Sequence, residues 1–153
     1  LKRKEKHMST YTEVLESIPK VLPSLVRAYK TQKKASDVGF DWNDYQPIIN
    51  KLHEEISEVT EAIDGGDKHK IEEEIGDIFF TVVNLSRFFK VNPEIALTKC
   101  VEKFINRFRY VEESAFSQGI PLESMTLQEM DKLWEESKKC NGNHRFSIHK
   151  TNV

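Results

Sequence analysis

Apolar residues recur every three or four positions along most of this chain, which is the spacing of amphipathic helices packed on a core. The pattern predicts five helices, at about 23–36, 45–64, 68–90, 93–118 and 126–138. Most glycines and prolines fall between these segments, and Thr126 with Glu129 forms a capping box ahead of the last one. Because long helices joined by short connections favour a bundle, we expect an all-α helical bundle of about five helices.

The two ends of the chain lack this periodicity. Residues 1–16 are interpreted as a charged N-terminal segment or linker, residues 17–140 as one folded domain, and residues 141–153 as a polar tail. Because the chain starts at Leu1, we expect either a piece of a longer protein or a genuine start at Met8.

Composition and charge narrow the classes of function. The 153 residues suit one domain, and a net charge of −2 gives no basic field for general nucleic-acid binding. No apolar run approaches the roughly 20 residues needed to span a membrane, and two cysteines make no disulfide framework. We therefore expect a cytoplasmic protein with no nucleic-acid partner and no membrane partner.

Two neighbouring predicted helices each carry a pair of acids beside an apolar stripe. The first stripe is Leu52, Ile56, Val59 and Ile63, and the second is Ile71, Ile75, Ile78, Val82, Leu85 and Phe89. At about 100° per residue, the acids flanking these stripes are Glu55 and Glu58 on the first helix, and Glu74 and Asp77 on the second. A tight Gly65-Gly66 turn predicts antiparallel neighbours, which would bring the four acids together.

Four converging carboxylates repel one another unless cations lie among them, and hard oxygen ligands suit Mg²⁺ or Mn²⁺. Such a metal cluster could hold a polyphosphate and activate water. The alternative from spacing alone is that these acids are solvated, as most acids of Glu-rich helices are. Iron and zinc are poor candidates, because Glu-x-x-His, His-Glu-x-x-His and Cys-x-x-Cys are all absent from the sequence.

Several motifs follow one another in order along residues 22–138. They include Val38-Gly39-Phe40-Asp41-Trp42, Glu54-Glu55-x-x-Glu58, Glu74-x-x-Asp77, Glu102-Lys103-Phe104-x-x-Arg107 and Met130-x-x-Leu133-Trp134. This set resembles the MazG family of all-alpha nucleoside triphosphate pyrophosphohydrolases, and above all the C-terminal domain of its two-domain members. The resemblance implies that the basic start is the remnant of an interdomain linker.

The resemblance also implies an active site. In it Glu55, Glu58, Glu74 and Asp77 would bind Mg²⁺, with Mn²⁺ as a substitute, and Lys70 would approach the phosphates. Other residues would bind the substrate: Lys103 and Arg107 through phosphate oxygens, Trp134 by stacking on the base, and Asn84 as a polar liner. Periodicity agrees for Lys70, which falls on the flank of Glu74 and Asp77.

Periodicity supports two of the other assignments less well. It directs Lys103 away from the apolar stripe of its helix, as an ordinary solvated lysine. Trp134 is equally well explained as a core residue beside Leu127, Met130 and Leu133. Glu54 is a weaker candidate for a supporting or base role, because it points away from its stripe. Trp42 is interpreted as a loop anchor, and Cys100 as a core residue.

A homodimer or higher homo-oligomer is a further implication of the resemblance. It agrees with helix 93–118, whose stripe carries more apolar surface than a small monomer needs: Leu97, Val101, Phe104, Phe108 and Val111.

The expected reaction is Mg²⁺-dependent hydrolysis of nucleoside triphosphates to the monophosphate and pyrophosphate, by a metal-activated water and without a covalent intermediate. One alternative is a non-catalytic nucleotide-binding or dimerisation module on the same scaffold. Another is a related all-alpha phosphohydrolase restricted to one substrate, such as dUTP or phosphoribosyl-ATP.

Overall fold

The computed structural model describes residues 10–140, in which helices are joined by short loops and no strand occurs. The helices are α1 (Tyr11–Glu16), α2 (Ser24–Ser36), α3 (Tyr45–Asp64), α4 (Lys68–Phe88), α5 (Pro93–Ser117) and α6 (Leu127–Lys139). A 3₁₀ turn, Leu122–Ser124, precedes α6. The expectation of an all-α fold is confirmed, and no described helix is long and apolar enough to cross a bilayer.

Helices α2 to α6 match the five predicted helices, with every end within two residues of its expected position. Helix α1 was not predicted. It has six residues and is capped reciprocally by Thr10 and Glu13, so it is too short to show a periodic stripe. Residues 1–9 of the charged start, and the predicted polar tail at 141–153, lie outside the described residues.

Side-chain caps explain where the long helices begin. Asp44 accepts a hydrogen bond from the backbone N–H of Gln46, and Asp67 accepts from those of His69 and Lys70. Asn92 accepts two more at the start of α5. Each cap satisfies N–H groups that the first helical turn leaves without a helical partner.

The chain divides into two compact units, one ending at Leu97 and the other beginning at Thr98. In the first unit, α3 packs along α4, α2 packs on α4, and α1 packs on α2. The connection from α3 to α4 is the three residues 65–67, in which Gly66 has a φ of +67° that a side chain would strain. So short a loop makes α3 and α4 an antiparallel hairpin.

The hairpin does not bury the faces that periodicity predicted. On α3 the buried residues are Ile48, Glu55 and Ala62, and on α4 they are Glu74, Thr81 and Val83. Much of the two expected core stripes is exposed instead, at Ile56, Ile63, Ile75, Val82 and Phe89. Periodicity located the apolar faces correctly, but the described chain covers the acidic flank rather than the stripe itself.

The second unit contains most of α5, together with α6. Its buried residues are Val111 and Ala115 of α5, and Leu133 and Ser137 of α6. Two expectations are wrong here, because Cys100 is exposed and Leu127 is 79% exposed, so neither is a core residue. Large apolar side chains of α5 are likewise exposed: Val101, Phe104, Ile105, Phe108 and Phe116.

Candidate active site

Three of the four predicted metal-binding acids converge where α3 faces α4. Glu55 and Glu58 from α3 and Glu74 from α4 each place a carboxylate oxygen within 4.8 Å of the others. Glu55 is 3% exposed and Glu74 8% exposed, which is unusual for glutamates. The structure therefore contains an acidic cluster, defined here as Glu55, Glu58 and Glu74, with the composition of a hard-cation site.

Glu55 shows most directly that the cluster suits a cation. Its Oε1 lies 2.7 Å from Lys51 Nζ, which also lies 2.9 Å from Glu54 Oε1. Its other oxygen, Oε2, is buried and has no hydrogen-bond partner among residues 10–140. A buried carboxylate oxygen without a partner is costly, and a coordinated cation would remove that cost.

Charge repulsion within the cluster is visible at Glu58. A hydrogen bond shared with Glu55 is the main cause that raises the pKa of Glu58 above its usual value. Lost solvation and the charges of Glu55 and Glu74 raise it further, while Lys51 opposes them. The three crowded carboxylates thus disfavour the ionised form of Glu58, and a bound cation would relieve this repulsion.

The remaining residues predicted near the metal lie at the edge of this cluster. Asp77 follows Glu74 by one helical turn, is exposed, and is not among the three described acids within 4.8 Å. Lys70 is exposed in the first turn of α4, where its backbone N–H donates to Asp67. Glu54 is exposed and paired with Lys51. The sequence interpretation missed Lys51, although its i, i+4 spacing to Glu55 was a signal for an ion pair.

The predicted phosphate and base contacts of α5 and α6 belong to the second unit. There the Arg107 guanidinium lies 5.8 Å from the centre of the Trp134 ring, a cation–π geometry. Phe104 also contacts Trp134, with ring centres 5.1 Å apart. Arg107 Nε is buried without a hydrogen-bond partner among residues 10–140, and Lys103 is exposed.

Asn84 and Trp42 lie in the first unit, around a cavity of about 400 Å³ between α2, the loop after it and α4. Asn84 is half-buried on α4, two to three turns beyond Glu74. Trp42 is 37% exposed and lines the cavity from the loop.

Sequence comparison agrees with this acidic all-helical site. Residues 43–116, which contain all three clustered acids, match the profile of the MazG nucleotide pyrophosphohydrolase domain. A nucleoside triphosphate pyrophosphohydrolase of Escherichia coli K12 is 40% identical over 141 residues, 91% of this chain and 54% of that protein. The nucleoside triphosphate pyrophosphohydrolase/pyrophosphatase MazG of Thermotoga maritima is 41% identical over 90% of this chain and 52% of its own length.

A third relative, the uncharacterised protein YabN of Bacillus subtilis, is 46% identical over 91% of this chain but only 28% of its own length. This chain thus spans about half the length of the two named pyrophosphohydrolases. The fold and the site together define a class of protein: all-helical domains with a buried acidic cluster. Residues 43–116 carry the MazG nucleotide pyrophosphohydrolase domain, and the expected resemblance to that family is confirmed.

Proposed function

We propose that this domain hydrolyses nucleoside triphosphates to the nucleoside monophosphate and pyrophosphate, with Mg²⁺ as its cofactor. The observation that carries the proposal is the acidic cluster, in which a buried Glu55 oxygen lacks a protein partner. The family supports the reaction type, since two relatives that match over nine-tenths of this chain are named for it.

In this proposal Glu55, Glu58 and Glu74 hold the metal, and Asp77 joins them from the next turn of α4. Bound Mg²⁺ supplies charge that offsets the polyphosphate and lowers the pKa of a coordinated water. The protein fixes the geometry in advance, because Glu55 and Glu74 are held in the tightly packed hairpin. Lys51 holds Glu55 Oε1 and leaves Oε2 for the cation.

Cations and one aromatic ring provide the proposed substrate contacts. Lys70, Lys103 and Arg107 bind phosphate oxygens, and Arg107 has a buried Nε donor still to be satisfied. Trp134 stacks on the base, and its ring is already oriented by Phe104 and Arg107. Stacking on an aromatic ring tolerates any base, so it adds affinity without selection.

We also propose that the protein is a homodimer or a higher homo-oligomer. The support is the exposed apolar surface on both units, which on α5 includes Val101, Ile105 and Phe108 at 41–50% exposure. Surface of this kind is unfavourable in water unless another chain covers it.

The deciding experiment incubates the protein with ATP, GTP, CTP and UTP in the presence of Mg²⁺ and identifies the products by ion-exchange chromatography. We expect monophosphate and pyrophosphate in equal amounts. Release of ADP and orthophosphate from ATP would show that the assigned reaction is wrong. The matched pair of variants is Glu55→Gln, which should be inactive, and Glu61→Gln, an exposed glutamate of the same helix that should keep full activity.

A further inference from the structure

Lys51 lies against the acidic cluster and contacts two carboxylates at once. Its Nζ is 2.7 Å from Glu55 Oε1 and 2.9 Å from Glu54 Oε1. All three residues belong to α3, where spacings of three and four residues place side chains on one side of the helix. The ammonium thus joins a member of the cluster to an acid outside it.

The burial of Glu55 separates this pair from ordinary surface ion pairs. The Glu55 side chain is 4% exposed and that of Lys51 is 36% exposed. In the two i, i+3 pairs elsewhere in residues 10–140, Lys34–Asp37 and Lys138–Glu135, every side chain is at least 42% exposed. Exposed pairs contribute little to stability, whereas a buried carboxylate needs a cation close to it. Lys51 therefore meets a requirement of the cluster itself.

The two oxygens of Glu55 have different surroundings. Oε1 accepts a hydrogen bond from the ammonium, while Oε2 is buried without a partner among residues 10–140. In two-metal sites, whose ions lie about 3.5–4 Å apart, one carboxylate can bind one ion through each oxygen. Glu55 has the form of such a bridging carboxylate, with an ammonium at one oxygen and no protein group at the other.

We propose that the Lys51 ammonium takes the place of a second divalent cation, so that the acidic cluster binds metal only on the Glu55 Oε2 side. The inference rests on the proposed function, which assigns a metal to this cluster. Lysine suits this role because its ammonium is a compact point charge with three hydrogen-bond donors. It offsets the charge of Glu54 and Glu55 without being a Lewis acid. Lys51 therefore limits how many divalent ions the cluster holds.

A count of bound metal ions tests this without turnover. Lys51→Met keeps an unbranched side chain but removes the charge, which frees Glu54 Oε1 and Glu55 Oε1 as ligands. Equilibrium dialysis against Mn²⁺, read by electron paramagnetic resonance, should then show one more bound ion per chain than the wild type binds. Mn²⁺ is the probe because it is paramagnetic and takes the same oxygen ligands as Mg²⁺.

Two controls separate a new metal position from a general change of charge. Lys68→Met removes the same charge from an exposed lysine that has no ion pair within residues 10–140, so it should bind as many ions as the wild type. Adding Glu54→Gln to Lys51→Met removes one of the two freed anionic ligands. The double variant should therefore lose the extra ion.

Thermal stability provides a second readout of the same replacement. Without divalent ions, Lys51→Met leaves the buried Glu55 charge uncompensated, so its Tm should fall well below that of the wild type. Mn²⁺ should raise the Tm of Lys51→Met by more than that of the wild type, since one more ion binds to the folded form. If the variant unfolds without metal, it is prepared and dialysed in Mn²⁺ throughout. A variant that stays unfolded in Mn²⁺ would contradict the inference, because a cation would then not replace the ammonium.

The outcomes distinguish this inference from the proposed function. An unchanged number of Mn²⁺ ions in Lys51→Met overturns the inference, whether the affinity rises or falls, because Lys51 then only orients Glu55. An extra ion in the variant, when the wild type hydrolyses no nucleotide, supports the inference and shows that the proposed reaction is wrong. If the wild type binds no Mn²⁺ at all, both the metal site and the inference are wrong.

Discussion

The interiors of the two units of this protein contain different kinds of residue. In the α3–α4 hairpin the packed interior contains Glu55 and Glu74, while isoleucines on the same helices are exposed. Between α5 and α6 the buried residues are small or aliphatic and carry no charge: Val111, Ala115, Leu133 and Ser137. Burying a glutamate destabilises a fold unless its charge is compensated. The interior of the hairpin therefore carries a charge cost that the interior between α5 and α6 does not.

The same difference appears in the polar groups left without partners. In the hairpin the buried group without a hydrogen-bond partner is an acceptor, Glu55 Oε2. In the second unit it is a donor, Arg107 Nε. An unmatched acceptor suits a cation and an unmatched donor suits an anion. Each unit therefore has its own unmet polar group, of opposite kind.

The largest effect that would test this contrast is expected at the hairpin. Glu58→Gln and Asp77→Asn should each lower kcat by about a hundredfold or more, since loss of a metal ligand costs at least as much as loss of its supporting partners. Turnover close to that of the wild type in both variants, at saturating Mg²⁺, would show that the cluster is not the metal site.

The same Glu58→Gln variant should be more stable than the wild type when no divalent cation is present. The raised pKa of Glu58 means that its ionisation near neutral pH costs folding free energy, a cost that glutamine avoids. Melting curves with EDTA and with Mg²⁺ check this. Mg²⁺ should raise the Tm of the wild type and leave that of Glu58→Gln nearly unchanged.

The second effect concerns the apolar surface of α5. Light scattering of the wild type should give at least twice the chain mass of 17.9 kDa, and Ile105→Asp should shift the species toward the monomer. Ile105 is 50% exposed, so an aspartate there disturbs no core. Phe116→Asp, at 86% exposure, tests separately whether the interface reaches the end of the helix. A wild-type mass near 18 kDa at micromolar concentration would contradict the proposed assembly.

A third, smaller effect separates the two explanations of Trp134. If the ring stacks on the base, Trp134→Ala should raise KM for ATP by about tenfold, equivalent to about 1.4 kcal/mol, and Trp134→Phe should recover much of it. If the ring only packs on Phe104, the alanine variant should instead lower the Tm sharply and leave KM of the folded protein unchanged. A stable alanine variant with an unaltered KM would leave neither explanation standing.

The smallest effect is a pH dependence at the cavity wall. The Arg87 guanidinium lowers the pKa of Asp41 from 3.8, so the ion pair stabilises the folded state above that pH and is lost as pH falls through the lowered value. Asp41→Asn should therefore reduce the Tm by a few degrees at pH 7 and by less near pH 3. Because Asp41 is partly exposed, high salt should shrink the difference. A Tm difference that grew on acidification would exclude this pair as its source.

The sequence predicted the helices and their ends well because both depend on local interactions. The caps at Asp67, Asn92 and Thr126, with the glycines at 65 and 66, fix the ends without reference to tertiary contacts. Helix α1 was missed because six residues cannot display an apolar stripe. Periodicity also placed Glu55, Glu58 and Glu74 on facing flanks, and the structure brings them together.

The burial of each helix face and the cavity could not be predicted from the sequence, because both depend on which surfaces pack together. Ile56 and Ile75 are as apolar as core residues, yet they are exposed, because periodicity identifies an apolar face and not its partner. The cavity was missed for a related reason. It forms where a loop holding Trp42 approaches α4, and loop geometry has no periodic signature. The roles proposed for Asp77, Lys70, Lys103, Arg107, Trp134 and Asn84 stay predictions.

The three-residue connection between α3 and α4 also limits how this protein can evolve. Each residue inserted within the first two turns of α4 would rotate Glu74 by about 100° and advance it by about 1.5 Å. One insertion would therefore turn its carboxylate away from Glu55 and Glu58, while the helix itself remained intact. The segment from residue 58 to residue 74 thus acts as a spacer whose length sets the direction of the Glu74 carboxylate.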